Sequence, residues 1–137
     1  ERFLINNESP FKIYGHNQTR AFCYISDAVD GTIKACELDQ GKNEIYHIGT
    51  DEEISIRELV IEAGNYLGYD GLYEDAPTFP GSTNRRCPDI SKAKRNLEYY
   101  PKVNWKKGLH LTLDWYKEFF LSGNKAFETS FEKPKDV

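Results

Sequence analysis

Apolar positions along this chain fall into short runs with strand-like patterning and longer runs with helical spacing, alternating from end to end. Phe3-Leu4-Ile5 reads as the end of a helix, stopped by Asn6-Asn7. Phe11 to Tyr14 predicts a short strand and Gly15-His16-Asn17 a turn, because glycine and asparagine tolerate positive φ. Arg20 to Ile25 predicts a buried strand, since Ala21, Phe22, Cys23, Tyr24 and Ile25 are apolar or aromatic on both faces. Ser26 or Asp27 is placed to cap a helix with Ala28, Val29, Ile33 and Cys36 inward and an Asp30/Lys34 pair outward. Gln40 to Asn43 breaks it, and Glu44 to Gly49 predicts the next strand.

The second half carries the stronger signals. Ser55-Ile56-Arg57-Glu58 is a capping box, in which hydroxyl and carboxylate each satisfy an orphan N–H, with Ile54 and Leu59 in staple positions. Ile56, Leu59, Val60, Ala63 and Leu67 then form one apolar stripe, which Gly68 to Gly71 terminates. Leu72 to Glu74 predicts a short strand, Pro77 to Asn84 a loop and Ser91 to Leu97 a short helix, with Asp89 and Ser91 as its capping residues. Leu109, Leu113, Tyr116 and Phe120 mark a final amphipathic helix capped by Asn104. Strands alternating with helices imply an α/β arrangement over residues 1–121, followed by a polar tail, 122–137.

Composition narrows the class of function. A chain of 137 residues buries about two thirds of its unfolded surface when it folds, enough for a core. A net charge of −4 argues against nucleic acid as a partner, which usually demands a basic surface. Cys23, Cys36 and Cys87 are odd in number and widely spaced, so they indicate neither a disulfide framework nor a metal site and fit a reducing, cytoplasmic setting. No apolar run approaches the roughly 20 residues of a membrane span. The sequons at Asn7 and Asn17 are short enough to arise by chance.

Three segments carry a resemblance. Ile13-Tyr14-Gly15 leading through Gln18-Thr19-Arg20-Ala21-Phe22-Cys23-Tyr24-Ile25 to Asp27, then Ile45-Tyr46-His47-Ile48-Gly49, then Arg86-Cys87-Pro88-Asp89-Ile90-Ser91-Lys92-Ala93, occur in this order. Together they resemble the C-terminal part of the extended short-chain dehydrogenase/reductase family, the NAD-dependent nucleotide-sugar epimerases, dehydratases and decarboxylases. The resemblance implies a substrate-binding lobe for residues 1–121. It also implies that the strand at Ile45 to Gly49 and its preceding helix return to a Rossmann sheet outside this chain. The family's glycine-rich dinucleotide turn has no counterpart, because Gly64, Gly68 and Gly71 close a helix at the wrong spacing. No tyrosine has a lysine four residues on, so the family's base and helper are missing too. With Glu1 first and no methionine, the expectation is the C-terminal portion of a longer enzyme. Its NAD would be held by an N-terminal Rossmann domain, which is then this chain's own partner, and a homo-oligomer is compatible with the family. The alternative is a stand-alone binding or interaction module that kept the fold and lost the chemistry.

Arg20 and Arg86 are the leading site candidates. A guanidinium donates bidentately to a pyrophosphate with charge-assisted bonds, and two from separate segments can clamp both phosphates of a nucleotide-diphosphate sugar. The resemblance places both on phosphate-contacting positions, with Arg85 competing for the second. The plainer reading is surface pairing with some of the 22 acidic residues. Tyr14, Ile13 and Gln18, with Phe11, match the segment that cradles the nucleobase in the family, against the alternative that Ile13 and Tyr14 are core and Gln18 a turn residue. His47 reads as a hydrogen-bonded core histidine on its strand, and no third group completes a triad with His16 and His110. No catalytic and no metal-ligating residue is expected in this chain.

Overall fold

The computed structural model describes residues 2, 3 and 5–122. Two small sheets organise it. β1 (Phe11–Tyr14) pairs in parallel with β4 (Tyr73–Ala76), and β2 (Thr19–Ala21) lies between β3 (Glu53–Ser55), antiparallel to it, and β5 (Arg85–Arg86), parallel to it. The helices are α1 (Ile25–Glu37), α2 (Ile56–Leu67), α3 (Ser91–Leu97) and α4 (Trp105–Leu121), with a short 3-10 turn at Asp39–Gly41. Among the described residues no helix is long and apolar enough to cross a membrane.

Where local chemistry determined an element, the sequence reading holds. The capping box is formed reciprocally: Glu58 N–H donates to Ser55 Oγ at 3.1 Å and Ser55 N–H to Glu58 Oε2 at 2.8 Å. Gly68 ends α2 at φ +74°, a left-handed conformation that other residues adopt at a cost. Asn104 Oδ1 accepts from Lys107 N–H at 2.9 Å and starts α4; at the head of α3 Asp89 Oδ1 accepts from Ser91 N–H at 2.9 Å, whereas Ser91, expected to cap as well, is the first helical residue and its hydroxyl caps no N–H.

Several expectations are corrected. Residues 2, 3, 5 and 6 form turns and a bend rather than a helix end. The strand expected at Arg20 to Ile25 stops at Ala21, and α1 takes over at Ile25. Neither Ser26 nor Asp27 caps α1; the Asp27 carboxylate is buried and accepts instead from Lys102 N–H at 3.0 Å and Val103 N–H at 2.9 Å. One carboxylate thereby ties α1 to the α3–α4 connection.

A further correction concerns which face of α1 is inward. The helix packs through its small residues, one turn apart: Asp27 and Gly31 are buried and Ala35 is partly buried. Gly31 is what permits this, since a Cβ there would lie 2.7 Å from Ile48 Cγ2 and 2.8 Å from Tyr99 Cε2. Val29, Ile33 and Cys36, expected inward, are exposed with Ile25 on the opposite side. The Asp30–Lys34 pair forms as expected, at 3.2 Å.

The core clusters around Ile90, Ala93, Leu97 and Tyr99, with Ala35, Tyr46 and Ile48 packed against it. Tyr99 is fully buried and donates its hydroxyl to Gly49 O at 2.7 Å, which burial requires of a polar atom. Burial also pushes the Tyr99 hydroxyl pKa well above the ordinary tyrosine range. Residues 44–49 keep a strand-like alternation, with Tyr46 and Ile48 inward and Ile45 83% exposed, but they join no ladder among the described residues. His47 is exposed there, not the core histidine expected. The polar tail lies, apart from Ser122, outside the described residues.

Candidate functional site

The turn from β1 to β2 builds the site. Gly15 adopts φ +65°, Gln18 N–H returns to Gly15 O at 2.8 Å, and the Gln18 side chain folds into the space that a Cβ on residue 15 would fill. Gln18 is only 5% exposed, so its amide must be satisfied internally, and it is. Nε2 donates to Thr78 Oγ1 at 2.9 Å and Ser82 Oγ at 3.0 Å, while Oε1 accepts from Ser82 Oγ at 3.2 Å and from Arg20 Nη2 at 3.1 Å. Gln18 is therefore a peg that fixes the loop 77–84 beside β2, and its polar atoms are all engaged within the protein.

Arg20 is held by the same loop. Nη2 donates to Thr83 O at 2.8 Å, and Nη1 to Thr19 O at 2.7 Å and Asn84 O at 3.3 Å. These are carbonyl partners, so they orient the guanidinium and leave its positive charge uncompensated. The pairing of β2 with β5 then sets Arg20 against Arg86, and partners in register on neighbouring strands project from the same face, roughly 5 Å apart at their Cα atoms. Arg86 is exposed, and its side chain has no hydrogen bond or ion pair among the described residues. Two arginines in register on one face, neither with a carboxylate partner among the described residues, make that face locally positive on an otherwise acidic chain.

Arg85 has the opposite surroundings. Strand alternation turns it to the other face, where Nε and Nη2 donate to Glu53 Oε2 at 3.0 and 2.7 Å and Thr19 Oγ1 also bonds Glu53. Those bonds hold the Glu53 carboxyl below the usual glutamate range, the Thr19 hydroxyl first and Arg85 second. Arg85 is a neutralised partner, and Arg86 the available cation.

The remaining sequence candidates separate. Ile13 is 1% exposed and its side chain is core. Phe11 is buried too, stacked on Phe3 at 4.1 Å between centroids. Tyr14 is 46% exposed and stacks on Phe79, itself 68% exposed, at 5.5 Å and 19° between planes. Phe79, Thr78 and Ser82 did not figure in the sequence reading. The one signal for them was an isolated phenylalanine in an otherwise polar loop. A cleft of about 310 Å³ lies elsewhere, lined by residues 50–52, Lys94 and residues 100–104, and includes neither arginine. Among the described residues no group of three His, Cys, Asp or Glu side chains is arranged to hold a metal ion.

No protein-family model matches the chain. Individual proteins do. It is 33% identical over 116 residues to UDP-N-acetyl-alpha-D-glucosaminuronate decarboxylase of Bacillus cytotoxicus, covering 77% of this chain and 35% of that one. It is 41% identical over 95 residues to UDP-glucuronic acid decarboxylase 3 of Arabidopsis thaliana, covering 69% and 27%. Among solved structures, UDP-glucuronic acid 4-epimerase from Bacillus cereus, in complex with UDP-glucuronic acid and NAD, superposes with a TM-score of 0.76 at 31% identity, over 86% of this chain and 38% of that one. The chain spans about a third of the length of these relatives. By sequence and by fold it is a relative of the NAD-dependent extended short-chain dehydrogenase/reductases, the nucleotide-sugar epimerases, dehydratases and decarboxylases, matched over their C-terminal part.

Proposed function

We propose that this chain is the nucleotide-diphosphate-sugar-binding portion of an NAD-dependent epimerase, dehydratase or decarboxylase. The observation that carries the reading is the register pair of Arg20 and Arg86 on one face, with no carboxylate on either. One guanidinium per phosphate suits a pyrophosphate, and the exposed Tyr14 ring offers a flat apolar surface for the base. Gln18 and Ile13 support these groups from below. In this reading the chain contributes affinity and orientation, using binding energy remote from the reacting sugar to position it.

NAD would supply hydride acceptance and return in the full enzyme, but the described residues do not fit it. A dinucleotide pyrophosphate needs a glycine-rich turn at a helix N-terminus. Here α2 and α4 are closed by the side chains of Ser55 and Asn104, and α1 is entered through Phe22-Cys23-Tyr24 without glycine. No step is therefore derived through it. The exposed apolar side of α1 and the unpaired segment 44–49 are the surfaces that a Rossmann domain of the same protein would cover. The unpaired cysteines suit a cytoplasmic setting.

The test is UDP and dTDP affinity in the full-length protein. Arg20→Ala and Arg86→Ala should each weaken binding by about 1.5 to 3 kcal/mol, the range for hydrogen bonds to charged groups, or roughly 10- to 150-fold. NAD affinity should hold. Lysine replacements should recover only part of the loss, since an ammonium keeps the charge without the planar fork. Unchanged nucleotide binding in both alanine variants would make these arginines ordinary surface charge.

A further inference from the structure

The loop 77–84 lies on both groups that a nucleotide diphosphate would use. Its Phe79 ring covers the Tyr14 ring, 5.5 Å between centroids and nearly parallel, as a nucleobase would. Its Thr83 and Asn84 carbonyl oxygens accept from the Arg20 guanidinium, where phosphate oxygens would. The two contacts are mechanically joined, because Gln18 grips the loop at Thr78, next to Phe79, and at Ser82, next to Thr83, and touches Arg20 itself. We propose that this loop is an internal competitor that occupies the nucleotide site in its empty state, with Phe79 standing in for the base and two backbone carbonyls for the phosphates. The proposal rests on the reading of Tyr14, Arg20 and Arg86 as the nucleotide site.

Chemistry gives the exchange a direction. A carbonyl is a neutral acceptor and a phosphate an anionic one, and a charge-assisted bond is roughly twice as strong, so a diphosphate takes Arg20 from the loop. Arg86 has no partner among the described residues to give up, so it makes the first contact. Arg20 then releases Thr83 and Asn84, and Phe79 leaves Tyr14 as the loop shifts. Each ligand that enters must first undo the ring stack, whose worth as an aromatic pair sets the size of the penalty.

Phe79→Ala removes one half of the competitor and touches nothing in the core, since Phe79 is 68% exposed. Calorimetric titration of the full-length protein with UDP should show binding about 2- to 12-fold tighter in Phe79→Ala than in the parent, the range an aromatic pair supplies. Phe79→Leu, which keeps apolar bulk without the ring stack, should fall between. A 4-fluorophenylalanine at position 79 should change its fluorine shift on saturation with UDP and not with NAD. Weaker binding in Phe79→Ala would mean that Phe79 clasps the base, and unchanged binding that it is a bystander; either overturns the proposal. An unshifted fluorine signal also overturns it. Failure of the underlying site reading is distinguishable, because then Arg20→Ala would bind UDP like the parent whatever Phe79 does.

Discussion

Arg85 and Arg86 are adjacent in sequence, yet only one of them faces Arg20. Sequence favoured Arg86 but left Arg85 as a competitor, because which of two neighbours a strand presents to a given face depends on register, and register is a property of the sheet. The difference is measurable. Arg85→Ala removes a surface ion pair with Glu53, worth under about 1 kcal/mol, and should leave UDP affinity within about twofold of the parent, unlike Arg86→Ala. Gly31 is a second position whose importance no local pattern shows. Gly31→Ala would gain roughly 1 kcal/mol of helix propensity but drive a methyl into Ile48 and the fully buried Tyr99. Overpacking of this kind costs about 1–3 kcal/mol, so thermal unfolding should show a net destabilisation. A rise in midpoint would mean that α1 does not pack this closely.

Elements ended where the sequence put a local device and drifted where it did not. The capping box began α2 at Ile56, Gly68 ended it, and Ser91 and Leu97 bounded α3 as read, because each rests on contacts within a few residues. Ser55→Ala should cost about 0.5–2 kcal/mol of stability. The same cap has a pH signature. Bonds from the Ser55 backbone and hydroxyl hold the Glu58 carboxyl below its ordinary 4.5. A group depressed in the folded state contributes stability that is present above that value and lost as pH falls through the lower folded one. Melting curves from pH 6 down to roughly pH 3 should therefore converge for the parent and Glu58→Gln at the acid end, the parent losing its advantage below about pH 4.5. Parallel curves would remove Glu58 from the cap. The inward face of α1 was misread for a different reason, while 44–49 keeps its strand-like alternation with no ladder among the described residues. Apolar spacing says which residues seek burial, not what buries them, and Ile25, Val29, Ile33 and Ile45 have no covering element among the described residues.

At the scale of the molecule, that bare surface should govern behaviour in solution. The apolar side of α1 together with Ile45 and the segment 44–49, which joins no sheet among the described residues, is the kind of surface that recruits another chain. Light scattering of the 137-residue chain should show association rising with concentration, and Val29→Lys with Ile33→Glu should suppress it. A monodisperse monomer at high concentration would mean that the face is tolerated as ordinary surface. The α/β class and the order of the three motif segments were legible in the sequence. The candidate site was legible only in part, since Arg20 and Arg86 were picked out by the family resemblance together with guanidinium chemistry, whereas Gln18's grip on the loop and the Phe79 stack depend on long-range pairing that no local spacing encodes.

Arg86 as a phosphate ligand beside Arg20 is the decisive assignment. The most direct measurement is calorimetric titration of the full-length parent and Arg86→Ala with UDP and, separately, with uridine, which shares the base and lacks the phosphates. The predicted result is a loss of roughly 10- to 150-fold for UDP and no change for uridine. Equal affinity for UDP in both proteins, or an equal loss for UDP and uridine, would contradict it.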